Sequence, residues 1–361
     1  MDNFYGELLN HIESTSISGI ENSGEDENEI FSAMNRREFI ARGGAMMAGF
    51  SLMPYLFSGN ISADAGEKAE VGLIRTDDRR EAVQRSFELM PPPEVEGDSV
   101  LIKPNFYTAD PAPGSTHNDT LTAIIDWLQK EGAGEITIGE RSGPPNTEEV
   151  MREKGIFELA EEKGVEVVNF DQVSDDELIH FQQDQLNWRD GFHIPRILHD
   201  VDHIVAAGCL KTHQFGGQFT MALKLAVGII PRVGTNYMDE LHGSDRMRDL
   251  IAEINLAYDP DIYIIDGVEA FTDGGPSSGE RVQADVTLVS GDPVAVDAAG
   301  VGVLKELGAK DVIMETPVFE LEQIARAAEI GLGVGRPEQI RLISDNEEGK
   351  KYSRKIEKQL T

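Results

Sequence analysis

The sequence predicts an α/β fold, with a mostly parallel sheet, or two such sheets, flanked by helices and arranged in one or two lobes. Three observations lead there. Short β-branched runs alternate with stretches of helical periodicity through most of the chain. The first of these follow the order strand, helix, strand, helix, strand, which is how a parallel sheet is laid down. A chain of 361 residues with 40% hydrophobic content and no internal repeat can bury one large core or two modest ones.

The elements follow in order. SVLIKPN (99–105) reads as a strand ending in a Pro-Asn turn. NDTLTAIIDWLQKEGA then places Leu121, Ile124, Ile125 and Leu128 at helical spacing, with Asn118 or Asp119 as cap and Gly132 as stop. EITIGE (135–140) is the second strand, TEEVMREKGIFELAEEKG supplies one or two helices, and VEVVNF (165–170) is the third strand. Residues 171–198 are polar and less regular, the best place for an insertion or a seam between lobes. The pattern resumes with strand HIVAAG, a loop, helices TMALKLAVGII and RMRDLIAEINLAY, strand DIYIIDG, loop FTDGGPSSGE and strand DVTLVSGD. Helices PVAVDAAGVGVLKELG and FELEQIARAAEIGLG and strand QIRLIS follow, and residues 346–361 read as a charged tail. Asp292 and Pro293 read as the cap and first residue of their helix.

The first 65 residues are unlike the rest. Residues 1–33 carry many acids and no Lys or Arg and read as a solvated, disordered leader. Within 34–65, Arg36-Arg37, a Gly-interrupted apolar stretch to Phe57 and Ala63-Asp64-Ala65 resemble a twin-arginine export signal with a small-residue cleavage site. That stretch is shorter than the roughly 20 residues of a comfortable membrane span. The expected partner is therefore the export machinery, with no stable transmembrane helix, and the expected address is the periplasm or cell exterior. A membrane tether would follow if the signal stayed uncleaved. Met34 is a candidate start that would give a compact basic leader.

There are 65 acidic and 32 basic side chains, for a net charge of −33. Residues 1–65 hold ten of the acids and three of the bases, which leaves −26 on the remainder. Such a field repels nucleic acid and anionic lipid. Cys209 is the single cysteine, which removes internal disulfides and Cys-rich metal centres. No G-x-G-x-x-G after a strand, Walker motif or G-x-S-x-G elbow is present, which lowers the odds of a Rossmann dehydrogenase, an NTPase or an ordinary esterase.

Against that background the cations are informative. In an α/β sheet ligands collect at the carboxyl ends of strands, and four such ends carry unusual residues: Lys103 with Asn105, Glu140 with Arg141, Lys211 with His213, and Asp266 with Gly274 and Gly275. LKTHQFGGQFTMALK is expected to cradle an anion, either a small substrate or a phosphate-bearing cofactor. Gly216 and Gly217 would open backbone N–H groups, a helix from about Phe219 would add its positive end, and Lys211 and Lys224 would add charge. His213 is the expected acid or base, titrating near neutrality, with Lys211 beside it and Asp266 orienting a lysine. Thr116 and His117, at the entry of the first helix, are candidates for anion contacts, the alternative being ordinary capping. Lys224 and Asp297 lie in apolar helical stretches and each requires a partner nearby. The His199/His203 and Cys209/His213 pairs are weak metal candidates, and the cofactor stays open. Enzyme and non-catalytic ligand-, metal- or cofactor-assembly readings both remain.

The ordered set IKPNF, the Thr-His helix entry, KTH followed by ALKLAVGII, IIDG with GGP, and SGDPVAVDA resembles the "domain of unknown function 362" family across about residues 99–308. The resemblance implies one α/β domain, 66–345 here, in a family whose members are often joined to a ferredoxin-like iron–sulfur module. Cys209 alone cannot hold such a cluster. A more distant similarity is to lactate racemases of the nickel-pincer type, in which Lys and His residues serve hydroxyacid isomerisation.

Overall fold

The computed structural model describes residues 68–184, 186–216, 218–232 and 237–361. The leader 1–33 and the signal 34–65 lie outside the described residues, as does Gly217. The strands are β1 (Ala69–Arg75), β2 (Val100–Pro104), β3 (Ile136–Glu140), β4 (Glu166–Asn169), β5 (Leu178–Phe181), β6 (Phe192–Pro195), β7 (His203–Thr212), β8 (Phe219–Thr220), β9 (Ile262–Gly274), β10 (Gly279–Ser290) and β11 (Ile340–Ile343).

One nine-stranded sheet runs in the order β11, β1, β10, β9, β7, β2, β3, β4, with β8 paired to β7. Only β10 and β8 run against the rest, so the α/β, mostly parallel expectation holds. Residues 171–198 do not divide the sheet. β2 before them and β7 after them are paired neighbours, and the stretch carries a separate antiparallel hairpin of β5 and β6.

Alternation along β7 shows why the sheet is buried on both faces. Ile204 and Ala206 face a core built with the helices Met247–Ile254 and Pro293–Glu306. Val205 and Ala207 face a second core built with the helices Arg79–Leu89 and Asn118–Lys130. On Asn118–Lys130 the four apolar residues expected at helical spacing are all fully buried. Its cap is His117, whose Nδ1 accepts from the Asp119 N–H at 3.0 Å, rather than Asn118 or Asp119. Asn118 donates instead to the Lys154 carbonyl.

Asp292 caps Pro293–Glu306 as expected, accepting from Val294 and Ala295. Residues 346–361 are not a free tail. Asn346 caps the helix Glu347–Leu360, which buries Ser353, Ile356 and Leu360. FTDGGPSSGE is shorter as a loop than expected, because β9 and β10 pair until Gly274 meets Gly279. β1 and the helix after it carry no strong sequence signal, yet β1 joins β10 to β11. Among the described residues no helix is long and apolar enough to cross a membrane.

Candidate functional site

Parallel strands deliver their ends to one edge of the sheet, and there lies a cavity of about 650 Å³. Of the expected residues it brings together Lys103, Asn105, Arg141, Lys211, His213 and Lys224. Lys103 and Lys211 are wholly buried, and Arg141 and Lys224 are at most 9% exposed. Tyr107, Glu140, Phe215, Arg232, Met238 and His242 join them. Among the described lining residues Glu140 is the one carboxylate.

Glu140 is fully committed. Its Oε1 takes the Lys103 ammonium at 2.8 Å and the Arg141 N–H at 2.8 Å, and its Oε2 takes the Phe106 N–H at 2.8 Å. Burial drives the lysine down and the carboxyl up, while each holds the other charged. Gly228 covers the pair so closely that a Cβ there would stand 2.3 Å from Glu140 Oε1. Arg232 is likewise spent on Asp171, at 2.6 Å.

The other cations have no such partner. Lys211 donates to the Gly114 and Pro276 carbonyls at 2.6 and 2.9 Å, and burial pulls it down to about 8. The Lys224 ammonium makes no hydrogen bond or ion pair with any described residue. Burial first, then Lys211 and Arg141, pull it down to about 8. Arg141 Nε is buried without a hydrogen-bond partner, its nearest carboxylate oxygen 4.0 Å away on Asp171. Asn105 Nδ2 is orphaned in the same way. A buried donor without a partner costs about 1–3 kcal/mol, and here the orphans and the unpaired ammonium all line one cavity.

His213 corrects one expectation. Burial, with Lys224, Lys211 and Lys310 around it, pushes the imidazole down to about 2, so it does not titrate near neutrality. Its Nδ1 accepts the Phe215 N–H at 3.2 Å, which puts the ring proton on Nε2. His213 is therefore a neutral hydrogen-bond donor.

The anion cradle also differs from expectation. Phe219 and Thr220 form β8, and the helix that follows is four residues long, Ala222–Leu225. Its free N–H groups at Ala222 and Leu223 are already taken by the Asp297 carboxylate, at 2.7 and 3.1 Å. Asp297 thus holds the segment that carries Lys224, does not line the cavity, and is pushed up to about 7 by its burial. Gly216 has φ +73° and gives its carbonyl to Arg248, away from the cavity. Gly217 lies outside the described residues.

Asp266 is not in the cavity and orients no lysine. It accepts from Arg79 at 2.8 Å, from the Thr120 hydroxyl at 2.9 Å and from the Val268 N–H. Thr116 and His117 are structural too: Thr116 links the Asn105 N–H to the Ala207 carbonyl, and His117 is the cap described above. Gly274 and Gly275 turn the β9–β10 hairpin at φ +75° and +76°, bringing the Pro276 carbonyl to Lys211. No three His, Cys, Asp or Glu side chains gather as a metal site among the described residues. His203 lies against Asp98 and Asp261, and Cys209 is buried with Sγ 4.0 Å from Thr116. A single buried thiol does not offer the thiolate set of an iron–sulfur cluster.

Tyr107, Arg232, Met238 and His242 went unread in the sequence. They stand in turns and a short amphipathic helix, where local pattern says nothing of direction; the only hint is the basic residue after GIIP.

The chain is 24% identical over 210 residues to "Thylakoid-associated protein sll1697" of Synechocystis sp., a match covering 56% of this chain and 61% of that protein's length. The lactate racemase apoprotein from Thermoanaerobacterium thermosaccharolyticum aligns with a TM-score of 0.42 at 13% identity, over 79% of this chain and 85% of that one. That likeness is too distant to carry a statement about chemistry. A family model matches residues 100–302, a span that contains every cavity residue from Lys103 to Pro276. The chain belongs to the family described as Domain of unknown function (DUF362).

Proposed function

We propose that this is an exported protein whose cavity binds a small anionic substrate or phosphate-bearing cofactor. One observation carries the reading. In a chain of net charge −33, Lys211, Lys224 and Arg141 reach one cavity without a carboxylate at salt-bridging contact closer than 4.0 Å, alongside the orphaned Asn105 amide. A bound oxyanion would satisfy all of these groups at once. Lys211, brought down to about 8, is still mostly ammonium at neutral pH and serves the anion as a charged donor, and the neutral His213 offers a hydrogen bond from Nε2.

Thermal unfolding across a panel of carboxylates and phosphates tests the site. Stabilisation by one of them should disappear in Lys211→Ala and Lys224→Ala; a shift that survives both substitutions removes the cavity as its seat. Binding that persists in His213→Ala with no turnover of any tested ligand favours the non-catalytic alternative, a protein that delivers or sequesters its ligand. Export is tested by N-terminal sequencing of the secreted form. A mature chain starting near Gly66 is expected, and one retaining Arg36-Arg37 would count against cleavage.

A further inference from the structure

The chemistry of the walls says more than that an anion binds. Three charged groups lie deep, apolar side chains run from beside them at the 4%-exposed Leu225 out to the surface, and the exposed Arg232 is held by Asp171. The charged groups, Lys211, Arg141 and Lys224, are 0%, 6% and 9% exposed. Two of them sit at or just past the ends of β7 and β3. The apolar lining comes from the segments that follow: Phe215 on the loop after β7, Leu225 and Val227 on the turn after β8, and Met238 on the helix Tyr237–Gly243.

Phe215 is 56% exposed, the most of any large hydrophobic side chain among the described residues. Its recorded ring contact is edge-on to His213, at 6.1 Å. Size points the same way. A volume of about 650 Å³ lies within the roughly 300–1,000 Å³ of pockets that take drug-sized ligands. Water takes about 30 Å³ per molecule in the liquid, so an inorganic anion only a few waters in size would leave most of the space wet against apolar side chains.

Building on the anion reading above, we infer that the occupant is an organic anion with an apolar body. Its single oxyanion head lies deep, on Lys211, Lys224 and Arg141, and its alkyl or aryl body runs outward past Leu225 and Met238 to Phe215. Carboxylate and phosphate-ester heads share this chemistry, and both are compared below.

Titration calorimetry at pH 7 on the full chain would use acetate, butyrate, hexanoate, hexyl phosphate, inorganic phosphate and the neutral hexanamide. Each methylene that enters the apolar part should tighten binding about fourfold (about 0.8 kcal/mol). Hexanoate should therefore bind at least tenfold tighter than acetate, and hexyl phosphate at least tenfold tighter than phosphate. The tighter of the two six-carbon anions identifies the head. Phe215→Ala, a change at an exposed side chain, should narrow the hexanoate-to-acetate ratio threefold or more while leaving acetate within twofold.

Equal affinities for acetate and hexanoate would overturn the apolar body and leave the anion reading standing. Hexanamide binding as tightly as hexanoate, or hexanoate affinity unchanged in Lys224→Met, would overturn the anion reading itself.

Discussion

Lys103 Nζ lies 2.8 Å from Glu140 Oε1 with neither side chain more than 2% exposed. The pair settles which cations are available. By holding Lys103, Glu140 leaves Lys211, Lys224 and Arg141 as the open charges of the cavity, and it fixes the start of Arg141 through that residue's own N–H.

Removing one partner of the pair exposes how costly its burial is. Lys103→Met leaves the Glu140 carboxylate buried with only backbone N–H groups, and loss of one partner of a buried pair costs about 3–5 kcal/mol. Chemical denaturation should show a loss of that order. The double variant Lys103→Met/Glu140→Leu should recover part of it, because no lone charge then remains inside. A double variant less stable than the single one would mean that Glu140 holds the fold through the Phe106 and Arg141 N–H groups even without its lysine.

His213 should be silent in a titration. With the imidazole held at about 2 and Nδ1 accepting from Phe215, nitrogen-resolved NMR of the free protein should find it neutral, with the proton on Nε2, from pH 5 to pH 8. A midpoint near 6.5 would show a ring open to water and remove the cation cluster as its surroundings.

Much of the fold was legible in the sequence because periodicity reports burial directly. Leu121, Ile124, Ile125 and Leu128 mark one helix face, and the central parallel strands β2, β7 and β9 each carry a continuous apolar run. Strand ends likewise pointed to Lys103, Arg141 and Lys211, since a parallel sheet sends them to one edge whatever the loops do. Direction within a loop has no such rule. Asp266 ends the run IYIID just as Lys211 ends its own strand, yet Arg79 from the unread helix beside β1 meets it first. TMALKLAVGII has helical composition, but it forms one α-turn, Ala222–Leu225, that runs on into a 3-10 turn, Ala226–Ile229, and its first N–H groups are held by Asp297, 75 residues further on. Partners that distant in sequence leave no local trace.

Asp297 makes stability depend on pH in a definite direction. Its folded pKa of about 7 stands above the ordinary 3.8, so the native state holds a proton that the unfolded chain has released between those values. Its contribution is full below pH 4 and is lost as pH rises through 7. Asn mimics the protonated side chain. Urea unfolding of wild type and Asp297→Asn should therefore show their stability difference moving in favour of the variant between pH 5 and pH 8. A constant difference across that range would mean Asp297 is ionised throughout.

Binding should draw protons into the site. Lys211 and Lys224 stand at about 8 in the free protein because burial, and for Lys224 the neighbouring Lys211 and Arg141, oppose their charge. An oxyanion placed among them reverses that opposition and raises both values. At pH 8 each lysine is about half protonated before binding, so the two together should take up to about one proton as a monoanion enters. Calorimetric titrations at pH 8 in buffers of different ionisation enthalpy measure that number directly. Below about pH 6.5 uptake should vanish, since both lysines are already charged and His213 lies too low to respond. Above pH 8 affinity should weaken, by at most tenfold per pH unit for each lysine, as the ammonium forms disappear. Lys224→Met should halve the uptake at pH 8. Binding with no proton uptake at pH 8 would place the anion away from these lysines, or show that their ordinary pKa values survive burial.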